Sequence, residues 1–272
     1  MLPQLELQTL KYPERDGLPM AETGFHVTLI AYFLAMLREF FRPRPDVYVG
    51  ANMFVYYQEE DPNKKVAPDL FVVPGTSNAE RRIWRVWEEG QVPAVVFEFT
   101  SKSTWDEDLG SKKGLYEWLG VQEYFVFDPL QEYLEPVLQG FRLIEGTYWR
   151  MELEVGPAGK QQLCSQMLGL WLRVEDGALH LYEQATGRKL LPPPELAEAL
   201  REAEARLREA EARAQEEAAA RQAAEARAQE EAAARQAAEA RAQEEAAARQ
   251  AAEAELARAR AELERLRARE RD

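Results

Sequence analysis

Asp69 and Glu98 lie 29 residues apart, in "VAPDLFVVPG" and "VVFEFTSKST", and Lys102 and Lys112 follow soon after. Two carboxylates on adjacent strands and a lysine are a minimal set for metal-assisted hydrolysis of a phosphodiester. Carboxylate oxygens suit Mg²⁺, which keeps several of its waters. Such a cation polarises a phosphoryl oxygen and lowers the pKa of a bound water. A lysine beside it orients that water or meets the developing negative charge. Each piece also has a plainer reading: aspartate after proline is a common turn element, and a lone strand glutamate is more often a salt-bridge partner. Glu98 sharpens the question because strands alternate faces. Val95, Phe97 and Phe99 point one way, and Val96, Glu98 and Thr100 the other. A charge amid apolar neighbours is costly unless it is paired or holds a metal.

Other chemistries are poorly supplied. Two histidines, His26 and His180, and one cysteine, Cys164, cannot build a histidine or cysteine zinc site. Ser101, Ser103 and Thr104 have no histidine placed to activate them and read as caps of the next helix, with Asp106 and Asp108 in its first turn. No glycine loop is shaped to cradle phosphate. "RRIWRVW", residues 81–87, mixes arginine and tryptophan, either to touch bases and phosphates or as an amphipathic helix with Trp84 and Trp87 inward.

The elements around these residues are mixed. "AETGFHVTLIAYFLAMLREFF" is apolar at Leu29, Ile30, Phe33, Leu34, Leu37 and Phe40, which is helical spacing. "DVYVGANMFVYYQE" reads as β structure with Gly50 at a turn or bulge, and "VAPDLFVVPG" as a strand bounded by prolines. A helix is expected from about Thr104 to Leu119, ended by Gly120, and a strand in "VQEYFVFDP". "PVLQGFRLIEGTYWRMELEV" and "MLGLWLRVEDGALHLYE" read as hairpins turning at Glu-Gly and Asp-Gly. The fold class is α+β, with a mostly antiparallel sheet and a few helices.

The prolines at 192–194 mark a boundary between a body, 1–191, and a tail, 195–272. The tail has no aromatic, lysine, glycine or proline, and it repeats "EARAQEEAAARQAA" at 211–224, 225–238 and 239–252. Leu200, Leu207, Leu256 and Leu263 share one heptad phase, and Leu196 and Leu266 the phase three residues on. Glu217–Arg221, Glu231–Arg235 and Glu245–Arg249 are favourable i,i+4 pairs. The tail is a long charged helix, either a coiled coil making a homodimer or higher oligomer, or a lone solvated spacer.

As a set, "APDLFVV", "VVFEFTSKST", the Asp108, Lys112 and Tyr116 of "DLGSKKGLY", and "GVQEYFVFDP" resemble the Uma-type restriction endonuclease family of the PD-(D/E)XK nuclease superfamily. The resemblance spans roughly residues 15–190. It implies a mixed β-sheet core flanked by helices, an Mg²⁺ or Mn²⁺ cofactor and a DNA substrate. Asp69 and Glu98 match the acids of the motif and would be metal ligands, with the Phe99 carbonyl. Thr100 stands where the superfamily has its lysine. The resemblance offers Lys112 on the following helix instead, sharing a face with Asp108 and Tyr116, with Lys102 as the alternative. Glu22 matches an accessory acid loosely and reads equally as a first-turn acid.

Charge and composition bound the rest. The net charge is −14, shared between body and tail, which argues against a broad, sequence-independent polyanion-binding surface. One cysteine allows no internal disulfide, and the longest apolar run, "VTLIAYFLAML", falls short of a membrane span. A soluble cytoplasmic protein is expected. Beside the endonuclease reading stands a binding or scaffold module that keeps the fold without the activity and works through its tail.

Overall fold

Helical spacing early in the chain does form a helix, α1 (Gly24–Phe40), whose buried side includes His26, Ile30, Phe33, Met36 and Leu37. The computed structural model describes residues 12–13 and 24–269, with side chains to residue 261. Glu22 lies outside the described residues. The strands that follow are β1 (Val47–Ala51), β2 (Val55–Tyr56), β3 (Lys65–Val66), β4 (Leu70–Pro74), β5 (Trp84–Arg85), β6 (Val95–Phe99) and β7 (Glu123–Phe127). After them come β8 (Leu138–Ile144), β9 (Thr147–Arg150), β10 (Glu154–Val155), β11 (Gln161–Ser165), β12 (Leu170–Glu175) and β13 (Ala178–Glu183).

Among the described residues, three sheets result. The largest runs β1-β4-β6-β7-β8-β9, the second β10-β11-β12-β13, and a small one β3-β2-β5. The architecture is α+β with mixed sheets: β6 runs parallel to β7 and antiparallel to β4. A parallel pair needs a long crossover. Helices α3 (Trp105–Glu107) and α4 (Lys113–Leu119), joined by a π-helical turn at Asp108–Lys112, supply it. The expected hairpins form at Glu145-Gly146 and Asp176-Gly177, where all four residues have positive φ, as two-residue turns of this kind require.

Both faces of the large sheet are covered. Val95, Phe97 and Phe99 pack into one core with α1, while Val96 packs into a second with Tyr116 and Tyr124. The alternation read from "VVFEF" therefore holds, and it puts Glu98 on the face beneath the α3–α4 crossover.

Several local expectations are corrected. Gly50 is neither turn nor bulge. It sits inside β1 opposite Phe71, where a Cβ would fall 2.4 Å from the Phe71 ring. Phe71 is fully buried against Tyr48 and Trp84, so the ring has no room to retreat. Gly50→Ala is expected to cost about 1–3 kcal/mol, read as a lower denaturation midpoint with an unchanged m-value. In "RRIWRVW", Trp84 is buried as expected, but in β5 paired with β2, and only Val86–Glu89 (α2) is helical. Thr104 precedes α3, but its hydroxyl accepts from the Ser101 N–H rather than capping the helix.

The long C-terminal helix, α5, runs Pro193–Arg269, so it starts two residues before the sequence boundary. Proline is tolerated in a first turn because its missing N–H has no intrahelical partner there, and Leu196 N–H already closes on the Pro192 carbonyl. The chain falls into two units, 1–198 and 199–272. In α5 the described side chains are exposed throughout. Glu217–Arg221 forms at 3.9 Å, whereas Arg249 reaches forward to Glu253 at 3.2 Å. No described helix is long and apolar enough to cross a membrane.

Candidate active site

Pairing between β4 and β6 sets the site. The register runs Val72↔Val95, Phe71↔Val96 and Leu70↔Phe97, so one step further places Asp69 opposite Glu98. Pro68 has no N–H to extend the ladder, and side chains take over. The Phe99 N–H donates to Asp69 Oδ2 at 2.7 Å, and the Asp69 N–H points at Glu98 Oε2 at 3.4 Å. Thr100 N–H turns the other way and donates to the Phe127 carbonyl of the β7 end. A strand residue's N–H and C=O point to the same side, so the Phe99 carbonyl looks toward Asp69.

The crossover brings the remaining groups. Lys112 Nζ lies 3.1 Å from Glu98 Oε2 and 3.0 Å from Asp108 Oδ1. Tyr116 donates its hydroxyl to Glu98 Oε1 at 2.7 Å. Asp108, Lys112 and Tyr116 thus share a face, as their four-residue spacing implied. The sequence did not show the π turn that carries the first two. Gly110 and Ser111 lie within it, and both are poor or neutral helix formers that tolerate a widened turn. Tyr124 steadies the same turn by donating to the Asp108 carbonyl at 2.8 Å.

Lys102 takes no part in this cluster: it is exposed in the turn before α3. His26 was set aside in the sequence as a histidine among apolar neighbours. It projects from α1 so that Nε2 lies 3.4 Å from Asp69 Oδ2. Only the tertiary packing of α1 on the sheet reveals this, since no spacing links residue 26 to residue 69.

Electrostatically the site is acid-rich. Glu98 is 1 % exposed. Burial, then the charge of Asp69, holds its carboxyl well above the usual carboxylate range, against the pull of Lys112. Burial raises Asp108 as well. Burial works against the charge of Lys112, but Glu98 and Asp108 outweigh it and keep the ammonium protonated above its ordinary range. Among the described residues, two buried oxygens, Thr100 Oγ1 and Asp108 Oδ1, have no aligned hydrogen bond, although Asp108 Oδ1 keeps its ion pair with Lys112.

These shifts fix a sign. Raised folded-state carboxyls bind protons more tightly than in the unfolded chain. The stability they contribute is complete below the ordinary carboxylate pKa and is lost as pH rises through the raised values. In chelator, the melting temperature is therefore expected to fall as pH rises above the ordinary carboxylate range. The fall should be smaller in Glu98→Gln. Equal slopes in the two proteins would remove Glu98 from the acid cluster.

Beside the cluster opens a cleft of about 390 Å³ lined by Phe54, Lys65, Glu107, Ser111, Lys112 and Leu115 among others. The Lys65 ammonium stands 4.6 Å over the Phe54 ring, so the cleft offers a cation and an aromatic face next to the buried acids. Among the described residues, no group of three or more His, Cys, Asp or Glu is placed to hold a metal ion. Mg²⁺ asks for less, commonly one or two carboxylates with the rest water. The Asp69–Glu98 pair, the unpartnered Thr100 hydroxyl and the excess of acids over Lys112 fit such a cation.

The Uma2 family, described as "Putative restriction endonuclease", matches residues 3–193. No curated protein matches the chain. Among solved structures, a crystal structure titled as a "putative nuclease belonging to DUF820 from Anabaena variabilis ATCC 29413" is 13 % identical. It covers 50 % of this chain and 74 % of its own, with a TM-score of 0.37.

Proposed function

Because this chain belongs to the Uma2 family, we propose that it is a divalent-metal-dependent endonuclease hydrolysing DNA phosphodiester bonds. The observation that carries the reading is the convergence of Asp69, Glu98 and Lys112 at one strand end beside an open cleft. Asp69 and Glu98, with the Phe99 carbonyl, would hold Mg²⁺ or Mn²⁺. When bound, such a cation polarises a phosphoryl oxygen and lowers the pKa of a bound water.

The chain's own groups do the positioning. Tyr116 fixes Glu98 through Oε1, leaving Oε2 toward Lys112. The Phe99 N–H holds Asp69. Lys112 replaces the motif lysine that Thr100 displaces, and from there it meets the negative charge that develops on phosphate or orients the attacking water. Lys65 and Phe54 line the approach and suit a phosphate and a base face. The acidic body, with net charge −14 for the whole chain, confines DNA contact to this cleft. We place the protein in the cytoplasm on its lone Cys164, and α5 as its means of self-association.

Nicking of supercoiled plasmid tests the reading. Conversion to open circle with Mg²⁺ or Mn²⁺, and none in chelator, is the expected result. Folded protein that cuts no DNA with either metal would overturn it. One observation favours a second reading, a scaffold that keeps the fold without cleavage: Thr100 stands where the motif has its lysine.

A further inference from the structure

The seam of α5 is not neutral between orientations. Taking the phase of Leu200 and Leu207 as a, and the phase of Leu196 as d, the central a positions read Ala214, Arg221, Ala228, Arg235, Ala242 and Arg249. The central d positions read Ala210, Glu217, Ala224, Glu231, Ala238 and Glu245. Every charged a residue is therefore arginine and every charged d residue glutamate. These side chains, with Leu200, Leu207 and Leu256, are exposed on the helix surface.

In a parallel, in-register pair, a faces a and d faces d. That would set Arg221, Arg235 and Arg249 against their own copies, and Glu217, Glu231 and Glu245 against theirs. Staggering the parallel pair by a heptad removes the like-charge contacts, but it gives a head-to-tail arrangement that does not close. In an antiparallel pair, a faces d. We propose that α5 docks antiparallel on the α5 of a second copy of this chain, with facing residue numbers summing to 466. Arg221 then meets the partner's Glu245, Arg235 the partner's Glu231, and Arg249 the partner's Glu217. Alanines face alanines between them, Ala228 meeting the partner's Ala238. The two-fold axis makes each contact twice.

Two further features select this register. A slip of one heptad leaves no Arg–Glu contact, and a slip of two heptads in either direction leaves two of the three. The axis of the 466 register passes at residue 233, two residues from 231, the midpoint of Pro193–Arg269, so nearly the whole helix is paired. Small alanine layers bring the helices close, and alternating opposite charges fix register at a cost in stability, as polar seam residues do. Overlap of residues 197–269 sets the two helix N-termini, at Pro193 of each copy, on the order of 120 Å apart, at opposite ends of the pair.

The inference deepens the self-association reading and is independent of cleavage, because its test reads only protein. Cys164 is the chain's only cysteine, so the full chain carrying Cys164→Ser gives a cysteine-free background. Ala228→Cys and Ala238→Cys are then made separately, tagged for size, and either purified alone or co-expressed. A short bismaleimide should join the co-expressed pair and neither protein alone, since each position stands about 15 Å along the axis from its own copy. Sedimentation equilibrium of the unmodified chain should give the dimer mass. Crosslinking of Ala228→Cys to itself would overturn the antiparallel register. A monomer mass across the accessible concentration range would overturn the pairing.

Discussion

Glu98→Gln is expected to lower cleavage by roughly 10³-fold or more while leaving the fold intact, because it removes charge needed to hold a cation without removing volume. The glutamine oxygen can still accept from Tyr116, which now donates to Glu98 Oε1 at 2.7 Å. The substitution also relieves repulsion. Burial and the Asp69 charge already disfavour the ionised Glu98, so the variant should be at least as stable as the parent in chelator near pH 8. Activity and stability are thus expected to move in opposite directions. A merely structural carboxylate, held only for its ion pair, would give an unstable variant with residual activity in proportion to its folded fraction. Circular dichroism melts beside plasmid nicking distinguish the two. Wild-type rates from Glu98→Gln would remove this residue from the chemistry.

Lys112→Ala is the second large effect. Its ammonium lies within 3.1 Å of Glu98 Oε2 and 3.0 Å of Asp108 Oδ1, and no other lysine reaches these acids among the described residues. Losing a group that meets charge in the transition state costs roughly 10²–10³-fold in rate. Breaking a buried ion pair by removing one partner typically costs roughly 3–5 kcal/mol. The cost here should be lower, since Glu98 and Asp108 can take up protons instead. Lys112→Ala should therefore be slow, less stable than the parent in chelator, and partly restored in stability by Mn²⁺. Lys102→Ala should stay within severalfold of the parent, because Lys102 is exposed in the turn before α3. The reverse ranking of the two variants would transfer the role to Lys102.

How far the sequence foretold this arrangement differs by element. The strand in "VVFEFTSKST" was legible because its alternation is strict, and the structure sends Val95 and Val96 into different cores. Asp108, Lys112 and Tyr116 were legible as one face because helical spacing is local. Gly50 was misread, because a glycine that makes room for a cross-strand ring looks in sequence like one that makes a turn; only the pairing with Phe71 separates them. Trp84 was rightly expected to be buried but wrongly placed in a helix, since a two-residue strand leaves no period to read. His26 was passed over because its partner, Asp69, is brought close only by packing of α1 on the sheet. The start of α5 was set two residues late by treating every proline as a stop, when a first turn accepts it.

The central claim is that Asp69 and Glu98 together hold a divalent cation, and calorimetric titration with Mn²⁺ tests it most directly. Wild-type protein should show saturable binding near neutral pH, and Asp69→Asn, equally folded, should lose it. Binding of equal strength in Asp69→Asn, or none in folded wild-type protein, would contradict the claim.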